Sequence, residues 1–148
     1  MHYLATQMRD GAMDSKEIID LLSGEVDDKG KVEDPASPPT IMFKNPGDII
    51  FDKGEAGAFM YVIRSGMVEI KERNIVLRTL GEGDIMGEMA LIDDSPRSTT
   101  AKALTKCSLT PVDYRRFFRL IQKRPEFALH VMQILSHRLR TLTDRVST

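Results

Sequence analysis

The chain has 148 residues, one cysteine, no tryptophan and a formal net charge of −1, with 41% apolar and 29% charged residues. That is the size of one domain with a core of its own, and it excludes an intramolecular disulfide and a cysteine-cluster zinc site. No apolar run approaches the roughly 20 residues that cross a bilayer, and MHYLATQMRD lacks a signal peptide's apolar centre; a cytoplasmic protein with no membrane span is expected.

Charge is unevenly spread. Residues 1–40 carry nine acids against four bases, and residues 111–148 carry three acids against eight bases. Residues 14–23, DSKEIIDLLS, predict a short amphipathic helix capped by Asp14 or Ser15, with Ile18, Ile19, Leu21 and Leu22 on its apolar side. Gly24 stops it. EVDDKGKVEDPASPP then reads as an acidic, proline-rich linker.

From Thr40 the pattern changes to short extended runs. Seven of the ten glycines fall between Gly47 and Gly87 and mark turns. Strands are predicted at 40–43, 48–51, 58–64, 66–71, 75–80, 99–104 and 107–112, a β-sandwich or barrel pattern. Ser65-Gly66 is expected as a tight turn that pairs Met67, Val68 and Ile70 with the preceding run. After Pro111 the period becomes helical. Asp113 caps YRRFFRLIQK, and Pro125 opens a second, long helix at a position where its missing N–H costs nothing. Along that helix Ala128, Met132, Leu135, Leu139, Leu142 and Val146 form a narrow heptad seam. It suits either a homodimer or an intramolecular core stripe.

The informative segment is GEGDIMGEMALIDDSPRSTTAKA, residues 81–103. Two glycines and two acids break GDIMGEMAL as a strand, so a helical turn over 88–91 is predicted just after Gly87. Its N-terminal N–H groups favour an anion. Arg97 can grip a phosphate with two parallel hydrogen bonds, Ser98 adds a hydroxyl, and Glu88 can accept from sugar hydroxyls. An anion cradle beside a carboxylate suits a nucleotide with a phosphate near a ribose hydroxyl. A structural Glu88–Arg97 ion pair is the plainer alternative.

GEMALIDDSPRSTTAKA closely resembles the phosphate-binding cassette of cyclic-nucleotide-binding domains. PGDIIFDKGEAGAFMYVIRSGMVEI resembles the glycine-punctuated strands of the same family. From Arg97 to Val146 the order of residues is similar to the sensor half of bacterial catabolite-activator (Crp/Fnr-type) regulators, without their helix-turn-helix domain. The resemblance covers about residues 40–147. It implies a mainly β fold with helices (α+β): a small antiparallel jelly-roll β-barrel carrying the cassette, followed by two C-terminal helices. The expected layout is a helix and linker at 1–39, a barrel at 40–112 and closing helices at 113–147.

The resemblance also implies roles. Glu88 binds the ribose 2′-hydroxyl, Arg97 and Ser98 bind the cyclic phosphate, and the N–H groups of Met89 and Ala90 beside Gly87 complete the cradle, with Thr99 among the ligand-binding residues. The long helix closes over the base and forms the dimer seam. Leu142 and Thr143 occupy the two positions that meet adenine in the activators; Leu142 departs from the pattern, because its side chain cannot hydrogen-bond. Ser98 either reaches a guanine 2-amino group or binds phosphate alone. The ligand is cAMP or cGMP, with cAMP favoured by the activator-like match.

The implied function is a cyclic-nucleotide sensor that signals through an unidentified protein partner or a dimer surface. The alternatives are a ligand-free interaction module and a transcription-regulator relative without its DNA-reading half. No enzyme, cofactor or metal is expected: His2, His130 and His137 all lie outside the predicted strands, and His130 and His137 read as surface or seam residues. No nucleic-acid partner is expected either. The basic residues of the last two helices, Arg138 among them, spread around both as a solvated face, and only two residues follow Val146. Cys107 alternates with apolar neighbours and reads as core.

Overall fold

A computed structural model describes residues 13–23 and 41–147. The expected helix stop at Gly24 and the linker at 25–39 lie outside the described residues. In chain order the elements are α1 (Ser15–Ser23), β1 (Met42–Lys44), β2 (Ile49–Phe51), β3 (Phe59–Ser65), β4 (Val68–Glu72), β5 (Ile75–Leu80), β6 (Ile85–Met86), α2 (Glu88–Asp93), β7 (Thr100–Ala103), β8 (Cys107–Asp113), α3 (Tyr114–Lys123) and α4 (Pro125–Ser147). The strands form two four-stranded antiparallel sheets, ordered β1-β8-β3-β6 and β2-β7-β4-β5. The expected jelly roll is therefore built as two sheets with helices following them.

β3 organises both hydrophobic clusters. Successive residues of a strand point to opposite faces. Tyr61 and Ile63 face the space between the sheets, with Phe51, Val68, Ile70, Leu80, Met86, Ala101, Ala103, Cys107 and Leu109. Met60 and Val62 face the other way, into a cluster with Ile85, Leu91, Val112, Phe117, Leu120, Phe127, Val131 and Ile134. Met60, Val62 and Ile63 are completely buried. Each fully buried aliphatic side chain of this kind contributes about 1.5–3 kcal/mol.

Two strand expectations need correction. β3 does not pair with β4. It lies between β8 and β6, whereas β4 lies between β7 and β5. The chain changes sheets at Gly66, and Val68 and Ile70 meet Tyr61 and Ile63 across the core instead of beside them. In addition, Ile85 and Met86 form a short strand against Val62 and Tyr61. The two residues separate into the two clusters, Ile85 toward the helices and Met86 between the sheets. The glycines and acids around them limit this strand to two residues without preventing it.

α1 is capped by Asp14, whose carboxylate accepts from the Glu17 N–H at 2.9 Å. Ile18 and Met13 are buried in the helix-side cluster. The contact is close: a Cβ on Gly83, which has φ +84°, would lie 2.4 Å from the Ser15 Cβ. Asp113 caps α3 by accepting from the Arg116 N–H at 2.8 Å. α3 buries Phe117 and Leu120, and Phe117 meets Phe127 edge-on at 5.7 Å.

α4 buries Phe127, His130, Val131 and Ile134. His130 is thus a core residue and not a surface one. On the expected seam, Met132, Leu139 and Leu142 are 58%, 65% and 44% exposed. Leu135 alone of that seam packs against the helix-side cluster among the described residues. The stripe is therefore not an intramolecular core. Among the described residues no helix is long and apolar enough to cross a membrane.

Candidate functional site

β6 delivers the chain to Gly87, whose φ of +77° and ψ of 9° place it in the left-handed region just before α2. A glycine is required there twice over. The conformation disfavours a side chain, and a Cβ would lie 2.4 Å from Arg97 Nη1. The Gly87 carbonyl accepts from that nitrogen at 2.9 Å, and the Phe59 carbonyl accepts from Nη2 at 2.5 Å.

The Arg97 backbone is held as firmly as its side chain. Its N–H donates to the Glu55 carbonyl, and its own carbonyl accepts from the Gly54 N–H, each at 2.8 Å. The guanidinium lies over the Phe51 ring at 4.3 Å and beside the Tyr61 ring at 5.8 Å, and the two rings stack on one another at 6.1 Å. Arg97 is only 5% exposed, yet its Nε is buried with no hydrogen-bond partner. Burial pushes the Arg97 pKa down, while Tyr61, Glu55 and Glu88 act in the other direction. Burial pushes the Tyr61 hydroxyl up, partly offset by Arg97. A buried guanidinium with an unused donor fits an anionic group.

Glu88, the first residue of α2, is 1% exposed. Its partner is not Arg97 but Arg138 of α4, which donates from Nη1 to Glu88 Oε1 and from Nη2 to the Ile85 carbonyl at 2.8 Å. The plainer expectation of a Glu88–Arg97 ion pair is not what the structure contains. Arg138 does not belong to the solvated face either, since its side chain is 12% exposed. The sequence carried a signal for it: Phe127, Val131, Ile134 and Arg138 continue one 4-3-4 stripe, and the first three are buried.

These groups open on one cavity of about 290 Å³. Gly87, Glu88, Met89, Ala90, Arg97, Ser98 and Thr99 all line it, as does Leu142 from α4. Thr143 is not part of the lining; its hydroxyl donates to the Leu139 carbonyl at 3.0 Å. Residue types alone had not singled out Phe51, Arg138, or the β4–β5 wall of Ile70, Glu72, Leu77, Arg78 and Leu80. The lining offers a cation at Arg97, a carboxylate at Glu88 that Arg138 already holds, and a mixed wall from β4, β5 and α4.

Comparison with known proteins identifies the family. The cyclic nucleotide-binding domain profile matches residues 42–124. A CRP-like cAMP-activated global transcriptional regulator of Mycobacterium tuberculosis is 29% identical over 106 residues, covering 68% of this chain and 47% of that protein. A cGMP-dependent protein kinase of Plasmodium berghei is 40% identical over 77 residues, covering 51% of this chain and 9% of the kinase. The crystal structure of the Thermus thermophilus catabolite activator protein superposes with a TM-score of 0.68 at 27% identity, over 74% of this chain and 54% of that one. The chain thus spans about half, or much less, of the curated relatives it matches. With the profile covering more than half of its residues, including the Gly87–Arg97 cassette, the chain belongs to the cyclic nucleotide-binding domain family.

Proposed function

We propose that the chain is a regulatory domain without catalysis of its own, which binds a cyclic nucleotide in the cavity between α2, β5 and α4. The observation that carries this reading is Arg97, a buried guanidinium whose Nε has no partner. A cyclic phosphate supplies the missing acceptor, and a charge-assisted bond of this kind is worth about 1.5–3 kcal/mol net. The ribose hydroxyl then falls to Glu88. Because Glu88 already holds Arg138 of α4, ribose and helix share one carboxylate. Occupancy of the site therefore bears directly on how α4 is held, and the ligand shifts α4 by its differential affinity for the two arrangements.

The exposed seam of Met132, Leu139 and Leu142 supports a second element of the reading, a homodimer through α4. In this scheme the signal leaves through that surface or through a protein partner.

Calorimetry with cAMP and cGMP on the full chain tests the binding reading. Wild-type protein is expected to bind, and Arg97→Ala to bind neither nucleotide while keeping its cooperative unfolding. Unchanged affinity in Arg97→Ala would overturn the assignment of the site. A thermal-shift measurement adds a second readout, since ligand at 100 times its Kd stabilises by about 2.7 kcal/mol.

A further inference from the structure

A second cavity, of about 440 Å³, lies between the loop before β3, α2 and the first residue of α3, where Gly57, Ala58, Leu91, Ile92, Asp94 and Tyr114 line it. Ala90 lines both this cavity and the first, so α2 is the wall between them. The pairing of β3 with β8 builds the opening. Phe59 is opposite Asp113, so Ala58 and Tyr114, one step beyond on each strand, flank the cavity together. Gly57 packs so closely on α2 that a Cβ there would lie 2.6 Å from the Ala90 Cβ and 2.9 Å from Arg97 Cζ.

The side chains of this lining are apolar except at Asp94 and Tyr114. Asp94 ends α2 with a φ of +54°, a left-handed conformation that aspartate tolerates. Its neighbour Asp93 is occupied locally, accepting from the Ser95 N–H at 3.1 Å and from the Ser95 hydroxyl. Among the described residues no hydrogen bond or ion pair reaches the Asp94 carboxylate. Tyr114 is 57% exposed, and Phe118, 50% exposed, stacks on it at 6.3 Å with the rings 13° apart. That stacking fixes the plane of the Tyr114 ring. A free carboxylate and an open aromatic ring beside apolar walls are complementary to a cation on an apolar stem. A guanidinium suits both groups, since it is flat against a ring and forked toward a carboxylate.

We propose that this second cavity is a docking site for an arginine side chain of a partner protein. The guanidinium lies against the Tyr114 ring and the Asp94 carboxylate, and the methylene stem runs along Leu91 and Ile92. Arginine and aromatic residues are the types enriched at protein interfaces. The site lies on the far side of α2 from the first cavity and does not rest on the cyclic-nucleotide reading.

Amide NMR of the full chain, titrated into the millimolar range with acetyl-arginine amide, tests the site. Saturable shifts are expected at the amides of 57–58, 90–94 and 114–118. Acetyl-citrulline amide keeps the shape of arginine without its charge, and should bind about tenfold more weakly through loss of both the ring and the carboxylate contacts. Acetyl-lysine amide keeps the charge without the fork and should also bind more weakly than arginine. Asp94→Asn, which keeps a side chain suited to the left-handed conformation, should weaken arginine by about fivefold, the upper end for an exposed pair. Citrulline binding as tightly as arginine would overturn the inference, and it needs no variant to show it. Lysine binding as tightly would overturn the choice of a guanidinium. Shifts that do not saturate, or an Asp94→Asn variant with unchanged affinity, would reduce the contact to general charge attraction and overturn it as well. Concentration-dependent shifts at the same amides without any probe would assign the arginine to a second copy of this chain, and overturn a separate partner.

Discussion

Replacing Arg138 with methionine leaves the Glu88 carboxylate buried and without its cation. Glu88 is 1% exposed, and the bond from Arg138 is anchored further by the Ile85 carbonyl. Removing one partner of a buried pair costs about 3–5 kcal/mol, because the survivor remains desolvated. The Arg138 side chain is 12% exposed, so some water can reach the gap, and a value of about 3 kcal/mol at the low end of that range is expected. In thermal terms this is roughly 6–12 °C in Tm. Adding Glu88→Gln to Arg138→Met removes the stranded charge. The double variant should therefore be more stable than Arg138→Met alone, with a coupling of about 2 kcal/mol between the sites. Urea unfolding of wild type, both single variants and the double variant measures this cycle. Additive single effects, or a cost below about 0.5 kcal/mol for Arg138→Met, would refute the argument that α4 and α2 are joined through a desolvated ion pair.

Burial holds the His130 imidazole below its ordinary value of 6.5. As pH falls below about 6.5 the unfolded chain takes up a proton that the folded chain refuses, so this contribution is complete above that pH and is lost down to the lowered folded value. The urea midpoint of the wild type should fall between about pH 7.5 and 5 more steeply than that of His130→Phe; parallel curves would contradict the assignment. Leu139, 65% exposed in the middle of the α4 seam, gives the test of assembly. Leu139→Asp should shift sedimentation from dimer to monomer at micromolar concentration, and a dimer that survives the substitution would place the interface elsewhere.

What was legible in the sequence was mostly local. GEMALIDDSPRS gave the turn, the short helix and the arginine behind a proline, because glycine, proline and capping residues act within a few positions. The strand at 59–65 was legible too, but not its partners. FMYVIR is apolar at adjacent positions because both its faces are buried, and such a run carries no alternation from which to infer the neighbouring strand. Pairing with the next run looked natural at Gly66, yet the chain leaves for the other sheet. Arg138 was misread for a different reason. Its burial depends on Glu88, fifty residues earlier; the 4-3-4 stripe puts Arg138 on the buried side of the helix, but nothing local to the helix names the carboxylate that lets a cation stay there. The seam at Met132, Leu139 and Leu142 competed with the stripe at Phe127, Val131, Ile134 and Arg138. Both follow heptad-like spacing, and only the fold shows which one faces inward.

The double burial of β3 has a consequence for how the molecule comes apart. Two clusters separated by a sheet would ordinarily melt as two units, one of strands and one of helices. Here alternate residues of a single strand are core to both, and the same strand is hydrogen-bonded on each edge, to β8 and to β6. Neither cluster can open without exposing the other's central side chains. The amides of 61–63 should then be the last to exchange with solvent, only through global unfolding, and the helices should be lost in the same transition as the sandwich.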